Sequence, residues 1–300
     1  MSSQAIIEVV APRRETVLCH VCSTSGCEPY LEGRGYTVVQ CRECRLIYVN
    51  PQPSLEELEE YYANYDLGEQ WVGGEDGFDR RVRKIIFNFK KKGSVLDIGC
   101  GAGSFLCGLR EAGFDVFGVE PSESGYRHAK SANRLDAFHG TVESFLDSRV
   151  NADFDVITML NVLEHLKNPR DIVLRLRKLM RDRAILVVGV PDVHLHMMLG
   201  EARRALGIKD PFWMDTVKHP LVAIDPPHHL TSFEPKTISQ FLSNCGFETV
   251  FLRNAPIMFN ADGWKNVAKR VVHTFSESLY WLTFRRVILG YSILAVGVKR

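Results

Sequence analysis

The run Ser94-Val-Leu-Asp-Ile-Gly-Cys-Gly-Ala-Gly-Ser-Phe105 constrains the fold more than any other part of the chain. Val95, Leu96 and Ile98 read as a short buried strand, Gly99, Gly101 and Gly103 as a sharp turn, and Ser104–Phe105 as the opening of a helix. Glycines there let the backbone turn tightly and approach a ligand with no side chains in the way. A second strand, Val116–Glu120, follows and ends in an acid placed to accept hydrogen bonds from a ribose diol. The pattern predicts a nucleoside-binding βαβ unit.

Asp97 narrows which nucleoside. A dinucleotide site sets a pyrophosphate against the helix N-terminus, follows G-x-G-x-x-G and keeps carboxylates away from the phosphates. Gly99 and Gly101 fit, but Ser104 stands where the third glycine belongs. A carboxylate at 97, at the end of the strand, repels pyrophosphate and suits a cofactor carrying an ammonium and a sulfonium, as S-adenosylmethionine (SAM) does. NAD or flavin is the competing reading of the glycines alone. Together with Gly118-Val-Glu-Pro121, the Asp-x-Gly-x-Gly-x-Gly run resembles motif I and the acid after it in class I SAM-dependent methyltransferases.

Three hundred residues suit one large α/β domain with a small appendage. Hydrophobic residues make up 45% and charged residues 24%, enough to bury a sizeable core. A net charge of +1 supplies no basic field for nucleic acid. Met1–Ala11 lacks the basic and apolar regions of a signal peptide. The near-apolar run Val287–Val298 is broken by Gly290 and Ser292 and is shorter than the ~20 residues that span a bilayer. The expected setting is the cytoplasm.

Four of the eight cysteines pair as Cys19-His-Val-Cys22 and Cys41-Arg-Glu-Cys44, with 18 residues between the pairs. That spacing falls in the range of zinc sites. Two thiolates per tight turn let four sulfurs converge on one ion, and the metal stands in for a core that ~40 residues cannot build. Disulfides are the competing use, disfavoured in a reducing compartment. Cys27 and His20 are spare ligand candidates; Cys100, Cys107 and Cys245 read as small buried hydrophobes. Residues 13–50 are therefore expected to form a ribbon around a structural zinc, with strands at Tyr36–Val39 and Leu46–Val49. Ser54, with Glu57 three residues on, predicts a helix start with a capping box. The stretch Cys41–Tyr62 resembles the head of a bacterial methyltransferase group in which a zinc ribbon precedes the catalytic domain. Arg45 departs from it, since such knuckles usually carry glycine there.

From Gly93 onward strand and helix signals alternate, which predicts a doubly wound, Rossmann-like α/β sheet in a domain spanning residues 51–300. Its expected parts are a SAM-binding core at 93–190, an acceptor cover at 191–235, and carboxyl-terminal strands with an inserted helix at 236–300. Asp155–Leu160 and Ala184–Val190 read as the fourth and fifth strands, and regularity stops from Pro191 to Pro235. Phe247–Leu252 and Ile293–Val298 are the last two strands, which the resemblance implies are antiparallel. Segment 265–289 mixes Lys265, Lys269, Arg270, Arg285 and Arg286 with Trp281, Leu282 and Phe284. It reads as an amphipathic helix packed on the domain, or as one lying on a membrane surface.

Methyl transfer from a sulfonium is an in-line displacement in which the protein aligns the acceptor and, for oxygen or nitrogen, removes a proton. The resemblance implies that Asp97 and the turn Gly99-Cys100-Gly101 with Gly103 hold the methionine end. It implies Glu120-Pro121 at the ribose, Gly140-Thr-Val142-Glu143 at the adenine, and Asn161 beside the methyl group. Many members carry an acid where this chain has Thr141. Glu143 has a second reading as a helix-start carboxylate. Asn161–Leu166 is a further family signature that implies His165 near the crevice, as a general base or as cofactor packing. His228 and His229 follow a rigid Pro-Pro pair at the end of the cover and are candidates to position the acceptor or take its proton. Tyr61, Tyr62 and Tyr65 offer ring faces to a sulfonium, or pack a helix.

These residues predict a SAM-dependent methyltransferase with a small-molecule or glycan-type acceptor. One alternative is a protein or nucleic-acid methyltransferase that uses the ribbon as a substrate reader; another is a SAM-binding or zinc scaffold without catalysis. Neutral charge weighs against nucleic acid. So does Asn161-Val-Leu-Glu164, which stands where base-amine enzymes carry Asn/Asp-Pro-Pro-aromatic.

Overall fold

A computed structural model describes residues 14–33, 35–63, 77–148, 152–193, 207, 226–255, 274, 275, 278, 280–283, 288, 290 and 292–300. The chain starts with two cysteine turns around a hairpin: Cys19–Cys22 precedes β1 (Cys27–Gly33), and Cys41–Cys44 joins β2 (Tyr36–Cys41) to β3 (Ile47–Val49). The turns are built alike. Ser23 N–H donates to the Cys19 carbonyl at 2.8 Å and Arg45 N–H to the Cys41 carbonyl at 3.0 Å. Both residues are left-handed, at φ 61° and 66°. Arg45 therefore keeps the turn that glycine would make, in a conformation that crowds its Cβ.

Helix α1 (Leu55–Ala63) starts as expected, with Glu57 N–H donating to Ser54 Oγ at 3.1 Å. The Glu57 carboxylate in turn accepts from the Ser54 backbone N–H, the second half of the capping box. The same carboxylate also takes Arg14 and the Tyr36 hydroxyl, each at 2.7 Å, and fastens α1 to the ribbon.

The main sheet follows: α2 (Gly77–Phe89), β4 (Ser94–Ile98), α3 (Ser104–Glu111), β5 (Asp115–Glu120), α4 (Glu123–Ser131), β6 (Asp136–His139), α5 (Val142–Asp147) and β7 (Phe154–Leu160). A 3-10 turn (Leu163–His165), α6 (Pro169–Lys178) and β8 (Met180–Pro191) come next, then β9 (Thr231–Ser232), α7 (Pro235–Asn244), β10 (Phe247–Asn254) and β11 (Ser292–Lys299). Strand order is β10-β11-β8-β7-β4-β5-β6. Strands β4 to β8 run parallel, and β11 is antiparallel to both of its neighbours. From β4 the chain winds outward through β5 and β6, then returns to β7 on the other side. Such a reversal opens a crevice at the carboxyl ends of the strands.

Alternation along the strands feeds two cores. Leu96, Ile157, Met159 and Leu186 pack on one face with α6 and α7; Val95, Val156, Ile185 and Val187 pack on the other with α2 and α3. Cys19, Val21, Leu46 and Tyr48 join the first of these, so the ribbon shares a core with the main sheet.

Two features differ from the sequence expectation. Strand β1 was not foreseen, because its residues are mostly part-exposed and carry no apolar alternation. The end of the irregular stretch is also a strand. β9 pairs with β3 (Ile47 opposite Ser232, Tyr48 opposite Thr231) and becomes the fourth strand of the ribbon's sheet. Most of 265–289 lies outside the described residues; within it, 274, 275, 278 and 280–282 are helical, and the Arg253 guanidinium sits 4.6 Å over the Tyr280 ring. Among the described residues no helix is long and apolar enough to cross a membrane.

Substituting Arg45→Gly relieves the left-handed crowding. It is expected to raise the unfolding free energy in urea by about 0.5–1 kcal/mol after glycine's entropic cost; a decrease would contradict this view of the knuckle.

Candidate active site and cysteine cluster

Asp97, Gly99 and Gly101 stand at the carboxyl end of β4, where the chain must turn under the crevice. Gly99 is left-handed (φ 72°), and a Cβ there would lie 2.6 Å from Val162 Cγ2. Gly101 is left-handed too (φ 54°), and its Cβ position faces open space. Gly103 caps α3 without a side-chain bond. Cys100 turns its side chain into the core and offers the crevice only backbone.

Two buried carboxyl groups face this turn. Thr158 Oγ1 donates to Asp97 Oδ1 at 2.6 Å. Loss of water pushes Asp97 up to about 8; the Thr158 bond opposes this, and the nearby Asp79 and Glu120 charges reinforce it. Glu120 is fixed at both oxygens, by Gly101 N–H and by Ser122 N–H, each at 2.8 Å. Burial also raises its pKa. Among the described residues no lysine or arginine forms a salt bridge with either acid. Buried acids without a cation in a crevice point to a ligand that brings positive charge.

Pro121 is exposed beside Glu120, and Ser122 caps α4 by accepting from Gly125 N–H at 3.1 Å. Thr141 spends its hydroxyl on capping α5, accepting from Ser144 N–H at 3.2 Å. Val142 is buried in the core and Glu143 is exposed at the start of that helix. Asn161 leaves β7 in a left-handed conformation (φ 56°), held by its N–H on the Gly189 carbonyl at 2.9 Å. Tyr65 lies outside the described residues, as do the side chains of Tyr61 and Tyr62.

His165, His228 and His229 come together. Ring centroids are 4.3 Å apart for 165–228, 5.0 Å for 165–229 and 4.9 Å for 228–229. His165 Nδ1 lies 2.7 Å from the His228 carbonyl and donates to it. Burial pushes His165 down to about 4, helped by His228, and pushes His228 down to about 4 as well. Both are neutral at neutral pH. Beside them is a residue that spacing did not single out. Glu164 is 1% exposed, burial lifts it to about 8, and neither carboxyl oxygen has a hydrogen-bond partner.

The four cysteines converge as well, with all sulfurs within 4.8 Å of one another. Cys19 and Cys44 are 3.4 Å apart, Cys22 and Cys41 3.5 Å. Around one zinc ion, thiolates sit about 3.8 Å apart, so the set fits a tetrahedral ion. The Cys44 bond pulls the Cys19 thiol down to about 5, and burial lifts Cys22 to about 11. The two spare candidates stand aside. Cys27 lies 4.0 Å from Asn50 Nδ2, and His20 Nε2 accepts from Gln52 Nε2 at 3.1 Å.

Hydrogen bonds join this cluster to the histidines. Val49 N–H donates to the Leu230 carbonyl at 2.9 Å, and Leu230 N–H to the Glu164 carbonyl at 2.8 Å. Gln52 Nε2 also donates to the Lys167 carbonyl at 3.3 Å. Both histidine segments are thus tied to the ribbon.

A family model described as a methyltransferase domain matches residues 75–252. The mitochondrial ubiquinone biosynthesis O-methyltransferase of Schizosaccharomyces pombe is 33% identical over 103 residues, 32% of this chain and 36% of that protein. The ubiquinone biosynthesis O-methyltransferase of Glaesserella parasuis is 35% identical over 121 residues, 36% of this chain and 51% of its own length. The chain thus spans only about a third to a half of these curated relatives. The Burkholderia thailandensis 1,6-didemethyltoxoflavin-N1-methyltransferase, crystallised with 1,6-didemethyltoxoflavin and S-adenosylhomocysteine, matches with a TM-score of 0.52 at 15% identity. That match covers 91% of this chain and 99% of that one, and shows a shared fold.

A carboxyl group raised by folding is stabilising below its unfolded pKa, and that stability is lost as pH rises through the folded value. For Asp97 the window runs from the usual carboxylate range up to about 8. Without cofactor, Asp97→Asn is therefore expected to shift the urea midpoint upward at about pH 8.5 and much less at about pH 5. An equal shift at both would show that Asp97 is not held protonated by burial.

Proposed function

We propose, for a chain that belongs to the class I SAM-dependent methyltransferases, that its crevice transfers the SAM methyl group to a small-molecule hydroxyl held at the histidine cluster. One observation carries the reading. The turn and the cluster are neighbours: Val162, three residues before His165, fills the space against Gly99 that a side chain would need. A cofactor on the turn and an acceptor at the histidines would then meet across Asn161.

SAM supplies the electrophilic methyl, and the residues supply alignment and charge. Asp97 and the Gly99-Cys100-Gly101 and Gly103 backbone take the methionine end. Glu120 takes the ribose diol, with Pro121 beside it, and the backbone of Val142 and Glu143 takes the adenine. The ammonium and sulfonium meet two buried acids without salt-bridge cations, which favours SAM over a pyrophosphate cofactor. An arriving cation also draws the proton off Asp97, so SAM binding tightens as pH rises toward 8.

His165 and His228, held near 4 by burial, are weak proton acceptors at neutral pH. His165, His228 and His229 therefore position the acceptor. Oxygen as the acceptor atom is supported by the O-methyltransferase names of the partial relatives. The cysteine cluster fits a structural zinc, which would close two knuckles that have little core of their own. The ribbon's exposed strand edge is used internally by β9, which supports a bracing role over that of a substrate reader.

Incubation with methyl-labelled SAM and fractionated cell extract is expected to label a small molecule; label on protein or RNA alone would overturn the reading. His228→Ala and His229→Ala are expected to cut turnover by about 100-fold with SAM affinity unchanged, whereas Glu120→Gln weakens SAM binding roughly tenfold. Unchanged turnover in both histidine variants would remove the cluster from the mechanism.

A further inference from the structure

We propose that His165, His228 and His229, with Glu164 beside them, form a second metal site, one for a divalent first-row transition ion. It is separate in place and chemistry from the cysteine cluster. Three imidazoles and a carboxyl group make a nitrogen–oxygen donor set of the kind zinc, iron(II) or cobalt(II) takes, not an all-sulfur one.

Four observations carry it. One ligand nitrogen from each ring lies within 4.8 Å of the others. Imidazole nitrogens around one zinc ion sit about 3.3 Å apart, so small ring rotations close the set. His165 Nδ1 donates to the His228 carbonyl, the bond a ligating histidine uses to fix its tautomer and aim Nε2 at a metal. Glu164 Oε1 lies 3.8 Å from that Nε2, on a carboxyl group almost fully buried and without a hydrogen-bond partner. An unpartnered buried carboxyl costs free energy unless something satisfies it, and a cation at the three rings does so. The cage is also rigid where ligands must be. Glu164 and Leu230 are bonded backbone to backbone, and Leu230 is bonded to β3.

The consequence for catalysis rests on the methyl-transfer reading; metal binding itself does not. An acceptor hydroxyl coordinated at this ion becomes more acidic and releases its proton to solvent. Its oxygen then forms a bond to the SAM methyl carbon as the carbon–sulfur bond breaks. The sulfur keeps that electron pair, and the sulfonium becomes a neutral thioether. The site thereby does what neutral, weakly basic imidazoles do poorly alone.

The test uses the full chain, stripped of metal and titrated with cobalt(II). Wild type is expected to take roughly one ion more per chain than the His228→Ala/His229→Ala double variant. The additional ion should show weak ligand-field bands and no thiolate-to-cobalt charge transfer. SAM titration reports whether each variant is folded. If the double variant does not fold, His165→Gln, close in size and able to keep the bond to the His228 carbonyl, is read the same way. Equal cobalt stoichiometry in wild type and a folded variant overturns the site. So does charge transfer from every bound ion. A stoichiometry difference without methyl transfer to any small molecule would count against the proposed reaction and leave the site standing.

Discussion

Strand β3 is three residues long, yet the geometry of the crevice depends on its two edges. One edge pairs with β2 across the second cysteine turn; the other pairs with β9, which begins two residues after His229. Through Leu230 the same ladder reaches Glu164, on the 3-10 turn after β7. Each bond is an ordinary backbone bond worth about 1 kcal/mol net. Their arrangement matters more than their strength, because it brings together two segments more than 60 residues apart in the chain. A connection of that length, which includes α6 and β8, has no intrinsic reason to return to one place; here its end supplies the fourth strand of a small sheet that also carries the four converging cysteines.

The other organising fact is a pair of buried carboxyl groups with no salt-bridge cation among the described residues. Asp97 and Glu120 are held in place by a threonine hydroxyl and two backbone N–H groups. Those bonds orient the acids without neutralising them. The fold carries the desolvation cost until a cationic ligand arrives, a common arrangement in sites that bind by charge. On the other side of Val162, burial keeps His165 and His228 neutral.

Much of this was legible in the sequence because it is local. The Asp97–Gly103 turn and the acid ending β5 follow from patterns within a few residues, the convergence of the four cysteines from the spacing of two Cys-x-x-Cys pairs, and the antiparallel final strands from the family resemblance. What escaped the sequence is long-range. β1 has no apolar alternation to announce it, and β9 is two residues whose only strand signal is a partner in the ribbon, nearly 200 positions earlier. Glu164 looked like an ordinary member of a signature. Only the fold shows it buried, unbonded and beside three imidazoles. Glu57 was read as the acid of a capping box with Ser54; that its carboxylate also takes Arg14 and Tyr36 is something no local pattern announces.

The chain joins a methyltransferase crevice to a cysteine ribbon that is hydrogen-bonded to both histidine segments. A crystal structure of the full chain with S-adenosylhomocysteine tests that account most directly. The account predicts the ribose diol on Glu120, the amino-acid end near Asp97, and the sulfur beside Asn161 facing the His165–His228–His229 cluster. A cofactor bound elsewhere, or one whose sulfur faces away from the three histidines, would contradict it.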